Sequence, residues 1–339
     1  LILGKSVENF EKNFSNWNQS KYGVGVGNGT DAIKLALMAV GVSNGDEVIT
    51  TSNTAVPTVS AIVETGADPV FCDIYESTYN INVELIESLI TKKTKAIVGV
   101  HLYGHPIKID AIKNICKKYN LKLIEDCAQS IGAKFCNKIV GSFGEIGCFS
   151  LHPVKTLNVP GDGGFITTNK KKINKLIRLV RDHGLELPKS RDIVKRFGFN
   201  SRLDNMHAAV ALIGLKQLDE WINQRRKIAN FYCKNLGYLK HIKLPPSPDE
   251  DKRYYDTYNS FVISANNRDK LREHLNYKGI EALSLITKGI HLQKKLNLGN
   301  WHLPKTEELE KKVISLPIYP SLSISKQKYI VKCIKEFYD

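Results

Sequence analysis

The sequence predicts an α/β protein, with a mainly parallel central sheet flanked by helices in residues 1–215 and a smaller α+β unit in residues 216–339. Three observations predict it. In residues 24–168, short β-branched runs alternate with helix-length amphipathic segments, the pattern of parallel strands joined by crossover helices. In residues 205–234, Ala208, Leu212, Leu215, Leu218 and Trp221 recur at helical spacing, so a long helix leads out of the first unit. Pro245, Pro246 and Pro248 then interrupt the chain before a shorter mixture of strand and helix begins. A chain of 339 residues with 42% hydrophobic content is long enough to bury a substantial core in such a fold.

Taken in order, strands are expected at Glu47–Thr51, 69–74, 95–101, 121–126, 148–151 and Gly164–Thr168, where β-branched and apolar residues cluster between polar turns. Helices are expected to begin at Thr30, Ala55, Asn82 and Ile109, with a longer helical region over 171–183. Past the prolines, residues 260–264 read as a strand and 326–338 as a terminal helix. There is no internal repeat and no low-complexity tract.

Composition narrows the function classes. Apolar stretches such as 96–100 and 147–151 are strand-sized, and none approaches the roughly 20 residues of a membrane span. The first residues, Leu-Ile-Leu-Gly-Lys, have neither an initiator Met nor the layout of a secretory signal, as in a chain that has lost a short N-terminal stretch. Seven cysteines without CxxC spacing read as buried free thiols in a reducing cytoplasm. The net charge of +15 is spread over many lysines, and no helix-turn-helix or RNA-binding signature accompanies it. It reads as a solvated basic surface whose field would draw in an anionic substrate such as a sugar diphosphate, and not as a nucleic-acid footprint.

Three segments carry chemistry. Gly27-Asn28-Gly29-Thr30-Asp31-Ala32 is a glycine-bearing turn running into an amphipathic helix. A helix N-terminus presents free N–H groups and a positive dipole end, so this turn is a candidate phosphate cradle or, alternatively, a helix cap built on Thr30 or Asp31. Leu123-Ile124-Glu125-Asp126-Cys127-Ala128-Gln129-Ser130 is an apolar strand ending in acids. The carboxyl ends of strands in open α/β sheets face the ligand crevice, so Asp126 is placed to meet a protonated ring nitrogen; capping the next helix or binding a metal are its other readings. In Ser150-Leu151-His152-Pro153-Val154-Lys155, Lys155 lies just past a buried strand in a turn built from Pro and Gly. Desolvation there favours the neutral amine, which attacks carbonyls, although most lysines are surface residues.

These segments, together with Val100-His101-Leu102-Tyr103-Gly104, Gly161-Asp162-Gly163-Gly164, Gly198-Phe199-Asn200-Ser201-Arg202-Leu203-Asp204 and Ser315-Leu316-Pro317, stand in order over nearly the whole chain. In this the sequence resembles the sugar aminotransferases of the DegT/DnrJ/EryC1/StrS family, pyridoxal phosphate enzymes of the aspartate aminotransferase fold type I. The resemblance implies that Lys155 carries pyridoxal phosphate as a Schiff base and shuttles the proton during transfer. It implies that Asp126 pairs with the pyridine nitrogen and that Gln129 and Ala128 lie beside the ring. Gly29, Thr30, the backbone at Asp31 and Ser150 would hold the phosphate. Asn200 would reach the cofactor phosphate of the neighbouring subunit, making a homodimer the smallest competent unit. The implied reaction takes an amino group from a donor, by analogy glutamate, onto the cofactor as pyridoxamine phosphate, and then onto a keto group of a nucleotide-linked sugar with ping-pong kinetics. Arg202, Lys288 and Arg178 are candidates for the sugar's diphosphate.

Two positions depart from the family pattern. Many relatives place an aromatic residue over the cofactor ring where this chain has Ala55, and His207 stands where Gln is more usual. A lone helical histidine is read as structural, at most one layer removed from the site. The rival activities are a sugar dehydratase, for which the resemblance predicts histidine in place of Lys155, and a cyclitol aminotransferase. A rival of another class is a non-catalytic ligand-binding or regulatory relative, which would not need a base beside the ring.

Overall fold

The computed structural model describes residues 1–186 and 193–339. The chain opens with α1 (Lys5–Trp17), which the reading of the sequence did not anticipate. Its signal was present, since Val7, Phe10, Phe14 and Trp17 share one helical face. Phe10 and Phe14 pack on Phe165 and Phe149 of the sheet.

The large unit continues through β1 (Tyr22–Val26), α2 (Gly29–Ala39), β2 (Glu47–Thr51), α3 (Val56–Val63) and β3 (Asp68–Cys72). After the short α4 (Val83–Ile86) come β4 (Thr94–Val100), α5 (Ile109–Tyr119), β5 (Lys122–Asp126), the two-residue strands β6 (Lys134–Phe135) and β7 (Lys138–Ile139), β8 (Ile146–Ser150), β9 (Gly164–Thr168) and α6 (Lys171–Val180). The expected strands are all present, displaced by one or two residues at their ends. The helix expected from Ala55 uses that residue as its N-cap, with Pro57 in the first turn, and the helix expected from Asn82 is a single turn capped by the Asn82 side chain.

The seven large strands form one sheet in the order β1-β9-β8-β5-β4-β2-β3. Pairing is parallel from β3 through β2, β4 and β5 to β8, whereas β9 pairs antiparallel with both β8 and β1. The reversal has a local cause. The connection from β8 to β9 holds no crossover helix, so the chain must turn back on itself. That turn carries Lys155.

Helices cover both faces of the sheet. One core joins α1 and α5 to the first half of α7 (Asn205–Leu236), the other joins α2 and α6 to the opposite face. Residues of α7 through Ile222 belong to the first of these cores, and those from Ile228 belong to the core of the C-terminal unit. That unit contains β10 (Ile242–Lys243), β11 (Tyr254–Tyr255), β12 (Phe261–Ala265), α8 (Arg268–Tyr277), α9 (Pro304–Leu309), β13 (Val313–Leu316) and α10 (Ile324–Tyr338). A three-stranded sheet β10-β12-β13 is its centre, while β11 crosses to pair with β6 of the large unit. Among the described residues no helix is long and apolar enough to cross a membrane.

Candidate active site

The carboxyl ends of β5 and β8, the N-terminal ends of α2 and α3 and the β8–β9 turn converge on a cavity of ≈ 350 Å³. The size is that of a small-cofactor site, and the position is the one α/β sheets reserve for ligands. Its lining includes Gly29, Thr30, Asp126, Ala128, Gln129, Ser150 and Lys155, which the sequence had scattered over more than a hundred positions.

At one end lies the start of α2. Asn28 is the N-cap, and its Oδ1 accepts from the Asp31 N–H at 2.8 Å. Neither Thr30 nor Asp31 is the cap. Because Asn28 already occupies the Asp31 N–H, and the Asp31 carboxylate faces Lys34 at 3.1 Å, Asp31 sits beside the cavity and does not line it. Among the described residues no acceptor meets the N–H groups of Gly29 and Thr30 in this first turn, and Gly29, Thr30 and Ser150 all line the cavity. Gly29 has to be glycine here: a Cβ would come 2.9 Å from the Ser150 Cβ.

At the other end, Asp126 closes β5 almost fully buried. Its Oδ1 accepts from the Ala128 N–H at 3.0 Å and its Oδ2 from the Thr58 hydroxyl at 2.8 Å. Burial pushes its pKa above the ordinary carboxylate value, and these bonds and the nearby Lys155 offset only part of that. Gln129 is oriented by its Oε1, which accepts from the Tyr103 N–H at 3.1 Å and so leaves the amide NH2 for another partner. Tyr103 adopts a left-handed φ of 58° to reach it.

Lys155 hangs between these ends. Its N–H donates to the His152 carbonyl at 2.9 Å, and its own carbonyl accepts from the Asn158 amide at 2.9 Å, so the turn is rigid around it. Among the described residues its Nζ has no hydrogen-bond or ion-pair partner. Burial lowers its pKa, an effect that the field of Asp126 counters without reversing. Burial of this kind favours the neutral amine, the form that is a nucleophile and a proton carrier.

Behind Asp126 lies a buried brace. Glu125 accepts from the N–H groups of Gly141, Phe143 and Gly144, and His101 Nε2 lies 3.3 Å from its Oε2. Burial pushes Glu125 up, but His101 and the N–H groups outweigh it and hold the carboxylate below its ordinary value. His101 Nδ1 accepts from the Ile107 N–H, which fixes the ring's orientation. His101, Glu125 and Cys127 form the one group among the described residues with a metal-like spacing. With the Glu125 oxygens taken by three N–H groups and the Cys127 thiol pushed well up by burial, the group holds the β7–β8 turn to the sheet and lacks a ready ligand set.

Other expected residues fall elsewhere. Asn200 is exposed, bridges to Asp182 and lies outside the cavity. Arg202 pairs with Asp182 at 3.1 Å. Arg178 pairs with the buried Glu11 and donates to the Gly23 carbonyl, which ties α6 to α1 and β1 and corrects its assignment as a diphosphate ligand. Lys288 is exposed on the segment that crosses Ser52, and no partner is recorded for it among the described residues. His207 packs on Gly161, beside the cavity-lining Asp162, and does not itself line the cavity. Ala55 does line it, together with Pro57 and Val100. Cys136 is exposed, against the expectation of buried thiols; the remaining cysteines are buried or half-buried, and all seven are free.

The reading of the sequence missed Asn28, Thr54 and Thr58. Asn before Gly-Thr is a cap signal. The spacing of Thr54 and Thr58 puts them one helical turn apart, but nothing local points either at Asp126.

The chain matches the model of the DegT/DnrJ/EryC1/StrS aminotransferase family over residues 1–335. It belongs to that family. Members with assigned names are similar over almost their full length. The pleiotropic regulatory protein of Geobacillus stearothermophilus is 40% identical, covering 100% of this chain and 91% of that protein. The dTDP-3-amino-3,4,6-trideoxy-alpha-D-glucose transaminase of Micromonospora megalomicea subsp. nigra is 37% identical, covering 99% and 90%. Among solved structures, S. venezuelae DesV in complex with a ketimine intermediate superposes with a TM-score of 0.95 at 33% identity, covering 100% of this chain and 90% of DesV. The DegT/DnrJ/EryC1/StrS fold and the mixed seven-stranded sheet described above are therefore the same architecture.

Proposed function

We propose that this chain is a pyridoxal phosphate-dependent aminotransferase that moves an amino group from an amino acid, glutamate by preference, to the keto group of a nucleotide-linked deoxy-sugar. The observation that carries the reading is the unpartnered, partly buried Lys155 amine sharing one ≈ 350 Å³ cavity with the buried Asp126 carboxylate. The transaminase from Micromonospora and the aminotransferase family match support the reaction class.

The residues fit the cofactor. Free N–H groups and hydroxyls suited to a phosphate lie at one end, an acid suited to a protonated ring nitrogen at the other, and a free amine between. When bound, pyridoxal phosphate supplies the electron sink that makes the donor's α-proton labile. Gly29, Thr30 and Ser150 would hold the phosphate. Asp126, as a carboxylate, would hold the ring nitrogen protonated. Gln129 would offer its free NH2 beside the ring, near its hydroxyl, where Ala128 also lies. Lys155 Nζ, in its neutral form, would take the proton from the donor's α-carbon and return it to the carbon that bears the cofactor's aldehyde, then run the transfer in reverse for the sugar.

Asn200 is exposed and does not line its own cavity, and α7 exposes Met206, Val210 and Ile213 on one apolar stretch. Both features support a homodimer in which Asn200 completes the partner's phosphate site. The part over residues 1–215 would carry the cofactor and 216–339 would close over the sugar. Free cysteines fit work in the cytoplasm, and an amino sugar for a surface polysaccharide fits the substrate class. The name of the Geobacillus relative favours a second reading, a regulatory protein that binds the same ligands.

Absorbance separates the two. The purified protein with pyridoxal phosphate is expected to show a visible band that glutamate bleaches and a nucleotide-linked 3-keto or 4-keto sugar restores. Lys155→Ala is expected to lose the band and at least about 10⁴-fold in turnover. A band that persists in the variant, or one that glutamate leaves unchanged in the wild type, would overturn the aminotransferase reading.

A further inference from the structure

Asp126 is held by a side chain that the proposed reaction does not yet use. Thr58 donates its hydroxyl to Asp126 Oδ2 at 2.8 Å, and the Thr54 hydroxyl lies 2.9 Å from the Thr58 hydroxyl. Both threonines are at least 98% shielded from solvent, so water does not substitute for these contacts. A hydroxyl has one proton to give, and an ionised carboxylate only accepts. With the Thr58 proton directed at Asp126, the contact between the threonines is made by Thr54 donating. The chain therefore runs one way, from Thr54 to Thr58 to Asp126, and each bond polarises the next.

We infer that Thr58 is the positioning residue that keeps Asp126 ionised and aimed at the cofactor's ring nitrogen, with Thr54 reinforcing it through the Thr58 hydroxyl. The argument rests on the proposed pairing of Asp126 with that nitrogen. Three parts of the geometry carry it. Asp126 has two oxygens, each anchored by one donor from a different element: the Ala128 N–H just beyond β5, and Thr58 in the first turn of α3. Two anchors on separate elements fix both the position and the rotation of the carboxyl plane, which one anchor cannot do. A donor on each oxygen favours the ionised form, against the burial that disfavours it. Finally, Ala55 is the N-cap of α3, so the segment where the family resemblance implies an aromatic residue is the segment that supplies both hydroxyls. In this chain the α3 start acts on the cofactor through Asp126 and not by stacking on the ring.

The test compares pyridoxal 5′-phosphate with 1-deazapyridoxal 5′-phosphate, which keeps the aldehyde, hydroxyl and phosphate but has carbon in place of the ring nitrogen. Dissociation constants are measured by absorbance titration of the apo-protein, alongside its melting temperature, for the wild type, T58V, T58S, T54V and T54V/T58V. T58V is expected to weaken binding of the natural cofactor about tenfold, the scale of one hydrogen bond to a buried charge, while leaving binding of the deaza analogue within about twofold. T58S is expected to restore wild-type binding. T54V is expected to weaken binding less than T58V, and the double variant to be no weaker than T58V alone, because Thr54 acts only through Thr58. Equal weakening of both ligands, or additive losses in the double variant, would overturn the inference, since either marks a general packing role. A wild type that binds both ligands equally would overturn the Asp126 pairing itself, and a wild type that binds neither would overturn the cofactor reading. The three failures are thus distinguishable.

Discussion

Asp126 and Lys155 illustrate how burial sets charge in opposite senses at one site. Desolvation raises the carboxyl and lowers the amine, because each is driven towards its neutral form, and each partly restores the other's charge. For Asp126 the consequence for stability has a definite sign. With its pKa raised above the unfolded value, the folded chain binds more protons than the unfolded chain between the two values. Stability from this group is complete below about pH 4 and declines as pH rises through the folded pKa. The ionised carboxylate thus costs the cofactor-free protein at neutral pH. Asp126→Asn is expected to lose activity and to remove this pH dependence, so that the stability of the wild-type apo-protein relative to the variant falls as pH rises from about 4 to 7. Urea unfolding across that range measures it, and a difference that did not change with pH would sink the explanation. Lys155 and Asp126 were both legible as candidates because Asp126 ends a strand and Lys155 lies in the turn just past one. Thr58 was not legible, because its hydroxyl acquires meaning only opposite a carboxylate 68 positions away.

At the scale of elements, the loops at the carboxyl edge do most to build the site. The segment 286–303 of the C-terminal unit is fastened to the end of β2 through one residue. The Ser52 carbonyl accepts from the Ile290 N–H at 3.1 Å, its hydroxyl accepts from the His291 N–H at 3.0 Å, and the same hydroxyl lies 2.6 Å from His291 Nδ1. Phe71 adds an edge contact with Trp301. Because Ser52 lies two residues before Thr54, this fastening also steadies the approach to α3. Ser52→Ala leaves a buried His291 N–H without an acceptor and is expected to cost about 1–3 kcal/mol locally. Hydrogen exchange at Ile290 and His291 should speed up by a matching factor; unchanged exchange would mean the segment is held by packing alone. The prolines at 245–248 and the helical spacing of α7 marked the passage to the C-terminal unit in the sequence. The fastening at Ser52 left no such mark, since serine before Asn-Thr is an ordinary turn residue.

For the whole molecule, the single chain leaves two things unexplained unless a second copy is present. Asn200 is exposed and outside the lining of its own cavity, and Phe197 nearby is 95% exposed, as Met206, Val210 and Ile213 are on α7 to lesser extents. If Asn200 serves the partner's site, then mixing inactive Lys155→Ala with weakened Asn200→Ala has a defined outcome. A mixed dimer holds one site with both lesions and one with neither, so random re-association of equal amounts should restore about a quarter of wild-type sites. Turnover that stays at the average of the two separate variants would place Asn200 in its own subunit's site or outside catalysis.

The sequence by itself determined the alternating β/α pattern, the long α7, the strand-ending acid and the turn-borne lysine. These follow from periodicity and turn chemistry, which act between neighbours. It also showed that Ala55 leaves the ring without aromatic cover. Only the tertiary structure decided which polar groups meet. Arg178 is held by Glu11 of α1, and the Asp31 N–H is met by the Asn28 side chain, pairings that no local stretch of sequence announced. The physical reason is the same in each case. The role of a charged or hydroxyl side chain depends on the partner that desolvates it, and partners far apart in the chain are brought together by packing that no local window contains.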